Sequence, residues 1–108
     1  MSTILKSRYD TCIEACRECV AACEANLIAM LEKTPSDNDC PACCRECADF
    51  CRLAENEMIR EGRFMAKLCQ LCAEVCDYCA EQCQAHEHDH CQRCAEACRR
   101  CAEECRRL

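Results

Sequence analysis

Four times along its 108 residues the chain spells C-x3-C-x2-C-x3-C. The copies are Cys12, Cys16, Cys19, Cys23; Cys40, Cys44, Cys47, Cys51; Cys72, Cys76, Cys79, Cys83; and Cys94, Cys98, Cys101, Cys105. Cys69 and Cys91 extend the last two copies by one step, and Cys43 lies beside the second, completing a set of 19. A thiol can pair into a disulfide, act in redox exchange, or lose its proton and bind a soft metal. An odd count fits poorly with a closed set of disulfides. The C-x2-C pairs lack the βαβ context of a redox motif, and iron–sulfur proteins place their cysteines on differently spaced loops. Metal binding is left as the chemistry of the pattern.

Steps of 4, 3 and 4 put every cysteine of a copy on one stripe of an α-helix, whereas a strand would scatter them over both faces. Related segments recur around the motif: CRECVAAC at 16–23, CRECADFC at 44–51, CAEVCDYCAEQC at 72–83 and CAEACRRCAEEC at 94–105. Breakers fall between the copies: the KTPSDND segment at 33–39, Gly62, and the HEHDH segment from His86 to His90. Helices are expected near 4–32, 40–60, 64–85 and 90–106, with Pro41 tolerated in a first turn and Asp89 capping the fourth helix with Gln92 three residues on. Short connections make neighbours antiparallel. The expected fold is all-α: one domain spanning 1–108, an up-down-up-down four-helix bundle with a cysteine-lined core.

Composition agrees. Leu, Ile, Val and Phe supply only about 14% of the chain, below the ~20% of an ordinary core, yet one Gly and two Pro leave few breakers. Cysteine must fill the interior, where a protonated thiol packs as a small hydrophobe. A net charge of −6 argues against nucleic acid as a partner. No apolar run approaches the roughly 20 residues that cross a bilayer. The Met1–Thr11 segment shows no secretory pattern, so the cytoplasm is the expected compartment, where clustered cysteines read as metal ligands rather than disulfides.

Four facing stripes would make a tube of thiols roughly 20 Å long at ~1.5 Å per residue. Thiolates at i and i+4 can close on one ion at ~2.3 Å from each sulfur, which suits Cu(I), a soft ion that thiolates select. Charge separates the candidate ions more sharply. With each Cu(I) touching two sulfurs and each sulfur bridging two ions, every Cu⁺ replaces one H⁺ and the core stays near neutral. Zn²⁺ in unbridged four-sulfur sites would leave −2 at each, and buried excess charge costs several kcal/mol. The expected capacity is on the order of 19 Cu(I) per chain, from the thiolate preference of the ion and that bridging. A Zn- or Cd-sequestering protein, or a chaperone carrying few ions, is the alternative. No catalytic constellation is visible, and the chain reads as a binding protein rather than an enzyme.

From Cys12 to Cys105 the repeated motif resembles the bacterial copper storage proteins, four-helix bundles whose cysteines point inward, and the absence of an export pattern resembles their cytosolic branch. The resemblance implies Cu(I) storage in the bundle, assembly as a homotetramer, and admission of copper at one end. Continuing the stripes distinguishes the two ends. One runs into Leu5, Tyr9, Met58, Met65 and Leu108, an apolar plug. The other meets His86 and His90, with His88 and Met30 nearby, and is the expected mouth. Phe64, Leu68, Leu71, Val75 and Tyr78, with Ile13, Val20 and Leu27, form a second apolar stripe expected to join subunits. Arg99, Arg100, Arg106 and Arg107 are expected to solvate the last helix and favour its C-terminal dipole.

Overall fold

A computed structural model describes residues 8–31 and 40–108. Four helices follow in order: α1 (Asp10–Met30), α2 (Cys40–Arg60), α3 (Met65–Gln84) and α4 (Asp89–Arg106). Leu5 and the 33–39 segment lie outside the described residues. The first helix was expected from residue 4; within the described part Arg8 and Tyr9 form a turn and the helix begins at Asp10.

Each helix packs on its sequence neighbours, and α1 closes the ring against α4. The sulfur pairs fix the directions. Cys40, Cys43, Cys47 and Cys51 descend α2 as their partners Cys83, Cys79, Cys76 and Cys72 ascend α3. Cys12 meets Cys105 while Cys23 meets Cys94, so α1 and α4 are antiparallel too. The bundle is therefore up-down-up-down, as expected. The backbones of diagonal helices stay apart among the described residues, which leaves a central column where cysteine side chains meet, Cys44 and Cys94 of diagonal α2 and α4 at 3.7 Å.

Alanine makes the seams between helices. Ala48, Ala73, Ala80, Ala95 and Ala102 each follow a stripe cysteine and are buried. A methyl group there lets neighbouring backbones approach closely, so that short cysteine side chains can meet across the axis. Larger apolar residues lie at the edges: Ile13 is buried, while Val20, Leu27, Phe50 and Val75 pack partly against the core. The α1 members of the second apolar stripe thus belong to the flank of their own bundle. Phe64 at the N-cap of α3 and Leu71 and Tyr78 within it remain exposed.

Because the apolar core is thin, outer ion pairs add ties between helices. Arg17–Glu55 and Arg52–Glu24 link α1 to α2 at 2.6 Å each. Arg100 pairs with Glu18 on α1, and Arg106 with Asp77 on α3. Arg99 donates to Gln84. Three of the arginines expected only to solvate α4 therefore clamp it to its neighbours, while Arg107 pairs within its own last turn with Glu103 and Glu104. Solvent screens exposed pairs of this kind, so each adds little.

The turns also differ from expectation. Glu61, not Gly62, takes the left-handed backbone that ends α2, with φ 51°. The Gly62 N–H then reaches back to the Glu57 carbonyl at 2.9 Å, and a Cβ at position 62 would collide with the Glu57 carboxylate. A non-glycine residue in that conformation costs about 1 kcal/mol. Glu61→Gly should therefore raise the apo protein's thermal midpoint by about 4–8 °C in an anaerobic circular-dichroism melt. Before α4, the N-cap is His88, with no side-chain cap bond, and Asp89 is the first helical residue. Gln92 does not complete a capping box. Its side-chain amide donates to the carbonyls of Gln84 and His86, tying the end of α3 to the start of α4.

Candidate metal centre

All 19 cysteines are free and buried. Sulfurs meet at 3.2–4.0 Å across and along the helices. Three sulfurs around one ion at ~2.3 Å stand about 4.0 Å apart by simple trigonometry, so the column is already spaced for thiolate-bound metal.

The sulfurs fall into groups of four whose members lie within 4.8 Å of one another. From the Tyr9 end these include Cys16, Cys72, Cys101 and Cys105; Cys19, Cys47, Cys51 and Cys76; Cys19, Cys23, Cys47 and Cys98; Cys23, Cys44, Cys79 and Cys94; and Cys40, Cys43, Cys44 and Cys83. The groups overlap: Cys19 and Cys47 each serve two, as do Cys23 and Cys44. Cys43, set beside its stripe in the sequence, turns inward and lies 3.3 Å from the Cys79 sulfur. Cys12 and Cys69 close the column around Cys105, and Cys91 closes the other end.

No Lys or Arg is buried among the described residues; Asn26 is the one buried polar residue there. A thiolate in this column therefore has no resident cation to balance it. Hydrogen bonds from Cys105, Cys16, Cys19 and Cys51 hold the Cys101 thiol well below its usual range. The same bond with Cys101, then those with Cys16 and Cys19, holds Cys51 well above it. A sulfur that accepts several S–H bonds can carry charge, and its donors must keep their protons. Burial, aided by the nearby Cys40 and Cys44 sulfurs, pushes the Cys91 thiol up to about 11. Most of the column is thus protonated at neutral pH, and a metal must displace those protons to bind.

The plug end is smaller than expected. Tyr9 and Met58 are buried and Met65 packs partly against the core, but Leu108 is exposed. At the opposite end, Met30 packs partly against the core. His90 Nδ1 lies 2.5 Å from Asn26 Oδ1 and 3.5 Å from the Cys91 sulfur, and the His88 ring stacks on His90 at 5.3 Å. His86 sits in the α3–α4 connection, its N–H bonded to the Cys83 carbonyl and its own carbonyl to Gln92.

Asn26 is the residue that sequence reading missed. It continues the α1 stripe three residues after Cys23, where a further cysteine would stand. Its Nδ2 donates to the sulfurs of Cys40, Cys44 and Cys83 at 3.4–3.7 Å, and its Oδ1 also accepts from Cys91. One amide joins the last sulfurs of the column to the histidine end. A polar residue in register with four cysteines was the available signal.

A ring of helices enclosing overlapping four-sulfur groups defines a protein built to hold many soft ions out of solvent. Comparisons with known proteins agree. The family model described as "Copper storage protein" matches residues 5–108. The Cu(I)-bound copper storage protein BsCsp3 superposes with a TM-score of 0.91 at 42% identity, covering 94% of this chain and 98% of that one. The copper-free form of copper storage protein 3 from Bacillus subtilis gives 0.86 at 44% identity, over 92% and 96% of the two chains. A protein of Nitrosospira multiformis, Nmul_A1745, gives 0.82 at 35%, over 91% of each. The cysteine-rich protein YhjQ of Bacillus subtilis strain 168 is 44% identical over 83 residues, 75% of this chain and 77% of its own length. The chain belongs to the copper storage protein family, and the cargo its buried thiols suit is Cu(I).

Proposed function

We propose that the chain, acting as one domain over residues 1–108, stores about one Cu(I) per thiolate, with all 19 cysteines as ligands. One observation carries this reading: neighbouring four-sulfur groups share members while no buried cation stands beside them among the described residues. Shared sulfurs imply bridging, and bridging by a monovalent ion leaves each Cu⁺ balanced by one thiolate. Divalent zinc in unbridged four-sulfur sites would bury surplus negative charge at each.

His90 and His86 are proposed as copper-binding residues at the receiving end. The support for His90 is its ring nitrogen 3.5 Å from the Cys91 sulfur; His86 rests on its position three residues past Cys83. Storage asks for metal binding and proton release and for no transformation of a substrate, so we read the chain as a store and not an enzyme. A reducing compartment keeps so many thiols free, which favours the cytoplasm, and no helix among the described residues is long and apolar enough to cross a membrane. Phe64, Leu71 and Tyr78, exposed at seven-residue intervals along α3, offer a face for assembly with further copies, a homotetramer by resemblance to the family.

The test is an anaerobic titration of the reduced protein with Cu(I) against a coloured Cu(I) chelator, with released protons measured in parallel. The chelator should stay uncoloured until about 19 equivalents, following the bridging of thiolates by the soft ion, with about one proton freed per ion. A break at a few equivalents, with tight Zn²⁺ binding in its place, would overturn the reading.

A further inference from the structure

The four-sulfur group at the histidine end is built differently from the rest of the column. Cys40, Cys43, Cys44 and Cys83 come from α2 and α3 alone, whereas each of the other groups described draws on at least three helices. Cys40, Cys43 and Cys83 serve none of those other groups, and only Cys44 is shared. Three of the four sulfurs also accept from a buried amide: Asn26 Nδ2 lies 3.6 Å from Cys40, 3.4 Å from Cys44 and 3.7 Å from Cys83. Asn26 is the one buried polar residue among the described residues, so the groups nearer Tyr9 have no such donor.

Four thiolates around one divalent ion at ~2.3 Å form a tetrahedron with edges of about 3.8 Å by simple trigonometry. The Cys40 sulfur stands 4.0 Å from Cys44 and 3.2 Å from Cys83, and Cys44 stands 3.5 Å from Cys83. Cys43 lies within 4.8 Å of all three, and with Cys40 it keeps the C-x2-C spacing of closed zinc sites. A tetrathiolate zinc centre carries a charge of −2, and burying that charge is what disfavours zinc in the rest of the column. Here the amide offsets it, because N–H bonds to ligating sulfurs draw off negative charge and fix the sulfurs around the metal. We propose that Cys40, Cys43, Cys44 and Cys83 bind one Zn²⁺ in the copper-free protein, with Asn26 as the positioning residue that makes this group, alone in the column, fit for a divalent ion. Binding exchanges the four thiol protons for the ion. Four Cu⁺ would neutralise the same four thiolates, so copper loading frees the zinc and returns these sulfurs to the bridged column. The zinc site does not depend on how many Cu(I) the column holds.

The experiment is an anaerobic titration of the reduced, copper-free protein with Co²⁺, whose tetrahedral four-sulfur complexes absorb strongly in the visible, followed by Zn²⁺. The four-sulfur spectrum should grow to a break at one equivalent, and one equivalent of Zn²⁺ should bleach it. Cys43→Ser should abolish that spectrum, while Cys51→Ser, deeper in the column, should leave it intact. Asn26→Leu, titrated at a temperature where its helicity matches the parent, should bind Zn²⁺ about 10- to 100-fold more weakly, the scale for losing an outer-shell partner. Its Cu(I) break should stay where it is. No break at one equivalent, a spectrum that survives Cys43→Ser, or parental Zn²⁺ affinity in Asn26→Leu would overturn the proposal. If Cu(I) then still fills the column at about one ion per thiolate, the zinc site falls and the storage reading stands. If Co²⁺ fills many sites and Cu(I) few, the storage reading falls and the single zinc site with it.

Discussion

Replacing Asn26 with leucine is expected to lower the thermal midpoint of the reduced, copper-free protein by about 10–20 °C. The side chain is fully buried and bonded to three sulfurs on one side and to His90 and Cys91 on the other. Leucine has the same branching at Cγ but leaves those groups unpartnered in a dry site. Each orphaned buried group costs about 1–3 kcal/mol, and several sulfurs can turn to one another, so a net loss of about 2–4 kcal/mol follows, at about 4–8 °C per kcal/mol for a domain of this size. Asn26→Asp should behave differently. In the copper-free state the thiols of Cys40, Cys44 and Cys83 can turn their hydrogens toward the carboxylate, and stability should fall less than with leucine. Copper loading removes those protons, and the carboxylate then faces thiolate sulfur. That variant should therefore lose the ions held nearest Cys40, Cys43, Cys44 and Cys83 while filling the rest of the column. Calorimetry of both copper-free variants and a Cu(I) titration of each would check the pair of outcomes. A leucine variant as stable as the parent would show that the amide network carries no net stability.

Copper loading itself should have the larger effect. A ligand that binds only the folded state stabilises it by about 4 kcal/mol per site when present at a thousandfold excess over its dissociation constant. The column offers many sites and needs the fold to assemble any of them, so binding energy becomes folding energy. The copper-free protein, with cysteine and alanine as most of its interior, starts from a thin apolar core. We expect the thermal midpoint to climb with each equivalent and to end at least about 20 °C above the copper-free value, since five kcal/mol at about 4 °C each already reaches that shift. Anaerobic melts at increasing copper would follow it, and removal of copper by a competing chelator should reverse it. A midpoint that does not move with copper would place the ions on the outside of the bundle.

Much of this architecture was legible because cysteine does two jobs in the chain. The same 4-3-4 spacing that marks a helix face also marks the ligands, so α2 could be read to its ends and the antiparallel ring followed from short connections. What was not legible depended on side chains outside that pattern. Asn26 sits in register with the cysteines, but an amide on a stripe acquires its role only when Cys83 from α3 and His90 from α4 arrive beside it. Gln92 had the spacing of a capping box with Asp89, and the pull of two open carbonyls at the end of α3 prevailed. The arginines of α4 looked like solvent-facing charge until Glu18 and Asp77 came within reach. The alanines that follow Cys72, Cys79 and Cys101 were visible in CAEVC, CAEQC and CAEEC; their use as seam residues required knowing which helix lay opposite.

The spacing of the four backbones around the column has a consequence for how such a protein can grow. Because the backbones of diagonal helices stay apart among the described residues, the cross-section of the column is set by four backbones and their alanine seams. The number of ions then depends on one dimension, the length of the bundle. A seven-residue insertion in every helix would add about 10.5 Å and, in keeping with the repeat, two cysteines per helix, without altering any contact above or below. Storage in this scaffold is metered by the heptad, and a chain could change its holding by whole layers while leaving its two ends, where the histidines and the plug reside, as they are.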